Sequence, residues 1–142
     1  MDSAVILPPD YVPSEKEEYM NEMQLEYFRQ KLTDWRNELM KSSETTLQDL
    51  KETTLNEADA NDRASNETDQ FMELRTRDRA RKLIKKINQA LERIENGTYG
   101  YCEETGEPIG LARLEARPVT TLCIEAQERH ERKEQTFAEE EE

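Results

Sequence analysis

Histidine, tryptophan and cysteine are nearly missing from this chain, which has one, one and two of them respectively among 142 residues. With His130 the only imidazole, no complete catalytic group of its own is legible, and the chemistry that clusters imidazoles is excluded. Two cysteines without an export signal argue against a disulfide framework and for a reduced, cytosolic setting. Apolar residues are also scarce, at 34% against 37% charged, too little for a thick globular core. Positive charge is in deficit: 20 Lys and Arg face 33 Asp and Glu, for a net −13 and a pI of about 4.6. Such a surface repels DNA, RNA and anionic membrane as a whole, so a protein or a cationic channel is the better partner. No run approaches membrane-spanning length. The start, with Asp2, a short Val5-Ile6-Leu7 run and then Pro8, Pro9 and Pro13, lacks the basic and long apolar regions of a signal peptide.

What the chain does have is helical periodicity. Leu25, Phe28, Leu32, Trp35 and Leu39 fall at three-four spacing, and Ile84, Ile87, Leu91 and Ile94 repeat it. Between the two stripes lies the polar turn Asp59-Ala60-Asn61-Asp62-Arg63-Ala64. Two apolar stripes joined by a short turn are satisfied most cheaply by each other, so the pattern predicts an antiparallel coiled-coil hairpin over 21–96 with its tip at 58–65. Each arm would be roughly 45 to 55 Å long at about 1.5 Å per residue, a rod suited to reaching into a partner. Asn21 with Gln24 has the form of an N-terminal cap, and Asn96-Gly97 that of a helix stop. Asp62 or Ser65 is expected to cap the returning arm, and Phe71 and Leu74 to face the first. Beyond Leu39 the first arm is rich in Ser and Thr, so the distal half should be the less stable. Residues 1–20 read as an extended or loosely docked leader. Residues 97–129 read as a small turn-rich head running into a final helix, held by Tyr99, Tyr101, Ile109, Leu111, Leu114, Leu122 and Ile124. Residues 130–142 read as the end of that helix and an acidic tail, disordered from Ala138. The fold class is all-α dominated.

Three constellations stand out. Cys102-Glu-Glu-Thr105 and Cys123-Ile-Glu-Ala126 have the outline of two C-x-x-C knuckles, each lacking its second thiol, so the head resembles a zinc ribbon with a degenerate site. A reduced set of Cys102, Cys123, His130 and a carboxylate is one reading, two buried thiols packed as small apolar groups another, and a redox pair a third. Asp59 and Asp62 are either ordinary turn residues or carboxylates placed to perturb a partner's metal site. The run Arg75, Arg77, Arg79, Arg81, Lys82, Lys85, Lys86 puts Arg75, Arg79, Lys82 and Lys86 on one stripe. That stripe either docks an anionic ligand or acidic surface, or is a solvated face paired with Glu22, Glu26, Asp34 and Glu38.

Together, Glu73 to Ile87, Tyr99-Gly-Tyr-Cys102, Ile109-Gly110, Arg113-Leu-Glu-Ala-Arg-Pro118 and Leu122-Cys-Ile124 resemble the DksA family of bacterial transcription factors, a likeness running from about Tyr19 to Arg129. The resemblance implies no enzymatic activity but a coiled coil entering the secondary channel of RNA polymerase. It further implies destabilisation of promoter open complexes, ribosomal RNA promoters among them, cooperation with ppGpp, and action as a cytoplasmic monomer without contacting DNA or membrane. The family's tip pattern stands at Asp59, Asp62 and Ala64. The ppGpp and polymerase interface would draw on Arg79, Leu83, Lys86, Arg113 and Arg117, while Gln127 stands where the family commonly has lysine. With Thr105 and Ala126 in two thiolate positions, the head resembles a cysteine-poor, zinc-independent branch, with no metal and no cofactor beyond ppGpp as effector, and chelator is expected to leave it folded. Competing readings are a Gre-type transcript-cleavage factor, whose tip carboxylates hold magnesium, and a non-catalytic coiled-coil adapter.

Overall fold

The computed structural model describes residues 5–55 and 60–141, and side chains other than those of 45–47, 49–66 and 139–141. Among the described residues there are four helices in chain order: α1 (Glu22–Leu55), α2 (Ala60–Asn96), α3 (Leu111–Ala116) and α4 (Ile124–Glu141). Two compact units result, one of residues 33–89 and the other of residues 1–32 with 90–142.

In the first unit, segments of α1 and α2 run antiparallel. Arg36 Nη1 donates to Asn88 Oδ1 at 2.9 Å, and further along, Leu39, Ser42 and Ser43 share a groove with Thr76, Ala80 and Leu83, so α1 ascends in number as α2 descends. The predicted stripe positions hold near Trp35, Leu39, Ile84 and Ile87, the last fully buried. Farther along α2 the seam carries Ala80, Arg77, Glu73 and Gln70, all half-buried, at the same three-four spacing. Phe71 and Leu74 do not face α1: they are 60% and 47% exposed. The helical repeat set by Ile84 and Ile87 carries the seam through their polar neighbours, and a one-residue offset on a helix turns a side chain by about 100°.

The second unit is the head. Asn21 caps α1 as predicted, its Oδ1 accepting the Gln24 N–H at 2.8 Å, but the reciprocal Gln24 Oε1 accepts from Met20 N–H, at 2.7 Å. Met20 has φ +54°, and that left-handed bend turns its N–H back to the Gln24 side chain. Gly97, at φ +81°, ends α2, with the Thr98 and Tyr99 amides both returning to the Arg93 carbonyl. Phe28, Leu32, Ala90, Ile94, Tyr99, Ile109, Leu114, Val119 and Ala126 are buried. Of the expected core, Tyr101 and Ile124 are 37% and 58% exposed, while Met20, Val119 and Ala126, not expected there, are buried. The leader is not loose: Tyr11 donates to Glu17, Ser14 accepts from Gln24 Nε2 at 3.2 Å, and Tyr11 stacks edge-on against Tyr27. The tail from Ala138 to Glu141 continues α4 and does not form the expected unstructured end, since a helix already nucleated gains one hydrogen bond per added residue.

Candidate functional site

The expected tip, 58–65, includes residues outside the described ones and the start of α2. Asp59 lies outside the described residues. Asp62 and Ala64 belong to α2 itself, which begins at Ala60, so neither Asp62 nor Ser65 is the cap expected from the sequence. Asp62 sits in the first turn of α2.

Toward the middle of the paired helices, small side chains open the seam. Ser42, Ser43, Thr76 and Ala80 stand where larger groups would meet, leaving a groove of about 360 Å3 that Leu39, Arg77, Arg79 and Leu83 complete. Two of the predicted interface residues, Arg79 and Leu83, thus line one recess, and Lys86 lies one turn further along α2, exposed. Arg113 and Arg117 belong to the head unit, at α3. Arg113 is half-buried, and its Nε donates to the Leu122 carbonyl at 3.0 Å, which ties α3 to the segment leading into α4. Arg117 is the exposed C-cap of α3, its N–H bonded to the Arg113 carbonyl. Gln127 donates to Glu131 at 3.3 Å along α4.

The head is organised around two turns and one phenol. Cys102 N–H donates to the Glu107 carbonyl at 2.8 Å and Gly106 N–H returns to Cys102 at 3.0 Å, closing the first knuckle, while Tyr101 and Pro108 form an antiparallel bridge. Tyr19 reaches in from the leader: its hydroxyl donates to the Gly100 carbonyl at 2.7 Å and accepts from Gly110 N–H at 2.9 Å. The sequence marks Tyr19 only as the edge of a motif; nothing in its spacing foretells this double bond. Tyr99, fully buried, donates to the Pro118 carbonyl at 2.8 Å. On the opposite side Glu115 accepts from Tyr27 at 2.7 Å and pairs with Lys31, fastening α3 to α1. Burial works to raise the Glu115 carboxyl, but the Lys31 and Tyr27 hydrogen bonds outweigh it and hold it below the ordinary range.

The thiols sit in the knuckles. Cys102 is buried; burial would raise its pKa, yet the Thr105 hydroxyl and the backbone amides of Cys123, Thr105 and Glu104 bring it down to about 6. Thr105 Oγ1 also lies 3.8 Å from Cys123 Sγ, so one hydroxyl approaches both sulfurs. Ala126 is fully buried and offers no donor. His130 is bonded to Glu104, with Arg129 3.7 Å from the same carboxylate, and the His130 bond, foremost, lowers the Glu104 pKa.

Comparison with known proteins places both parts. Residues 24–94 match the family model described as DnaK suppressor protein DksA, N-terminal domain, and residues 97–132 match the prokaryotic dksA/traR C4-type zinc finger. The second match corrects the expectation of a cofactor-free, zinc-independent head, because it assigns the segment to a zinc-finger family and points to zinc binding. At the corresponding positions this chain presents two thiols, a hydroxyl and a methyl group, and among the described residues no three His, Cys, Asp or Glu side chains gather around one point. That donor set falls short of the four ligands of tetrahedral structural zinc. The RNA polymerase-binding transcription factor DksA of Caulobacter vibrioides is 62% identical over 136 residues, covering 94% of this chain and 96% of that protein. Its Escherichia coli K12 counterpart is 46% identical over 122 residues, 86% and 81% of the two chains. The solved structure of transcription factor DksA2 from Pseudomonas aeruginosa superposes with a TM-score of 0.77 at 46% identity, covering 82% of this chain and 90% of that one. With both models matched in chain order and a curated relative alike over nearly its whole length, this chain belongs to the DksA family, a family of transcription regulators and not of enzymes.

Proposed function

We propose that this protein regulates transcription by binding bacterial RNA polymerase, inserting its helical hairpin into the secondary channel without itself contacting DNA. The observation that carries the reading is the antiparallel helix pair, with Asp62 and Ala64 near the start of α2, in a chain 62% identical to a protein named as an RNA polymerase-binding transcription factor. The net charge of −13 supports a protein partner over nucleic acid. Asp59, Asp62 and Ala64 act at the tip within the channel. The carboxylates of Asp59 and Asp62 perturb the electrostatics around the polymerase's own metal ions and shorten the lifetime of promoter open complexes, those at ribosomal RNA promoters first. Arg79, Leu83 and Lys86 on α2 and Arg113 and Arg117 on α3 supply the polymerase and ppGpp contacts; Gln127 brings one cationic charge fewer to the polyphosphate than a lysine would. The protein works in the cytoplasm as a monomer. Among the described residues no helix is long and apolar enough to cross a membrane.

The test is the lifetime of open complexes at a ribosomal RNA promoter, with purified polymerase, with and without this protein and ppGpp. A shortened lifetime, shortened further by ppGpp, is expected. Asp62→Asn should retain polymerase binding and lose the effect on lifetime. An unchanged lifetime with binding intact would sink the proposal, and stimulated RNA cleavage in stalled complexes would replace it with the cleavage-factor reading.

A further inference from the structure

The groove between α1 and α2 marks a change in how the hairpin is held. On one side of it the helices are fastened by Ile87, fully buried, and by the Arg36 to Asn88 hydrogen bond at 2.9 Å. On the other side the seam runs through Arg77, Glu73 and Gln70. Ile87 is the only buried residue among the described side chains of this unit, so nothing described beyond the groove holds the pair as firmly. Both helices are weakened at the level of the groove itself. There α1 places the pair Ser42-Ser43, and paired small hydroxyl residues are among the few sites at which helices kink. On α2, Thr76 Oγ1 donates to the Met72 carbonyl at 3.0 Å, a bond that competes with the main-chain ladder and favours a bend. Leu39, Ala80 and Leu83, the apolar part of the lining, are only half-buried, and narrowing the groove would take more of them out of water.

We propose that this groove is a joint within the hairpin, about which the part of the helix pair beyond Ser43 and Thr76 bends toward the groove while the Ile87 contact stays made. Bending narrows the groove and buries part of Leu39, Ala80 and Leu83. Opposing it is the lengthening of main-chain hydrogen bonds at Ser42-Ser43 and between Met72 and Thr76, where the two helices give most easily. Two small opposed contributions leave an open and a narrowed arrangement in exchange. The joint is a property of the hairpin alone and does not rest on the polymerase-binding reading. A jointed rod adjusts its distal part to the walls of a partner by closing a ready-made gap, whereas a uniformly packed pair has to break knob contacts to do so.

The experiment is double electron–electron resonance on the full-length chain with nitroxides at positions 69 and 86. Asp69 lies two turns from Thr76 and Lys86 two turns from Arg79, so both exposed positions stand on the groove side of α2, about 26 Å apart along its axis. The labels are coupled to genetically encoded keto side chains, because Cys102 and Cys123 are free thiols. With labels about 6 Å off the helix axis, a bend of about 30° shortens their separation by about 3 Å. Expected in the wild type are two components separated by about that distance. Ser43→Leu/Ala80→Leu fills the groove and should remove the shorter component. Thr76→Val, which loses the hydroxyl at nearly constant volume, should reduce it about twofold or more. Asn37→Leu, at an exposed position of α1 outside the groove, should leave both components in place. Circular dichroism checks the fold, and if the double variant loses helix, Ser43→Leu alone carries the same comparison. A single narrow distance in the wild type, equal to that of the filled variant, would overturn the joint. So would a folded, filled variant as broad as the wild type, and equal narrowing by Asn37→Leu would assign the effect to helix propensity instead.

Discussion

Tyr19→Phe isolates the contribution of a single oxygen to the head. That hydroxyl donates to Gly100 and accepts from Gly110, joining the turn before the first knuckle to the N-terminus of α3. A net intramolecular hydrogen bond contributes about 0.5–1.5 kcal/mol, and leaving a partly buried amide or carbonyl unpaired costs about 1–3 kcal/mol. Gly100 O keeps a second partner, the Ile109 amide at 2.8 Å, so the main loss is the Gly110 N–H. Phe preserves the ring and its edge-on contact with Tyr101 at 5.6 Å, so packing loss is small. The sum is about 2 kcal/mol for the unit containing the head. In amide hydrogen exchange this corresponds to about a 30-fold loss of protection at Cys102, Ile109 and Leu114, since about 1.4 kcal/mol is tenfold. Amides at Leu83 and Ile84, in the other unit, serve as the internal control. Tyr101→Phe, altering an exposed phenol, should leave protection within about twofold. Protection in Tyr19→Phe matching that of Tyr101→Phe would refute the reasoning, and a loss spread evenly over both units would refute its locality.

Gly100→Ala should destabilise the head by about 1–3 kcal/mol or more, read as a lower urea midpoint at constant m, because the new Cβ would lie 2.8 Å from Met20 Cγ and φ is +90°. Phe28→Ala, at a fully buried position against Tyr99, should cost about 3–5 kcal/mol in the same assay. In alkali, Tyr11 and Tyr27 are each pushed from 10 up to about 12 by burial and then by Glu17 and Glu115. A phenol raised on folding stabilises below its unfolded pKa and loses that contribution as pH climbs through the folded value, so stability should fall between pH 10 and 12. Burial raises Tyr19 and Tyr99 as well, so ultraviolet titration should show four phenols ionising late, and Tyr27→Phe should remove one. Lys86→Ala is expected to reduce ppGpp synergy in the open-complex assay more than the basal effect, and equal loss of both would remove it from the proposed effector contacts.

Local rules made the helical elements legible. The stripe Leu25 to Leu39 and the run Ile84 to Ile94 identified both arms, Asn21 their beginning and Gly97 their end, because periodicity and capping depend on near neighbours in the chain. Resemblance supplied the tip and interface residues, and the motifs at Tyr99 to Cys102 and Arg113 to Pro118 led to the family that the comparisons established. The fate of Phe71 and Leu74 was not legible. Apolar identity predicts burial, but their angular position is inherited from a seam fixed at Ile84 and Ile87, and only the paired helices decide which side is covered. Nor did sequence foresee Tyr19 joining glycines some 80 and 90 residues away, since that bond exists only once the leader docks on the head. The missing thiols at 105 and 126 suggested a metal-free branch, whereas the whole of residues 97–132 matches a zinc-finger family. A single chain of side chains specifies helices by itself because their hydrogen bonds close within four residues; which faces meet, and which stay open to a partner, is settled by long-range packing that local pattern does not encode.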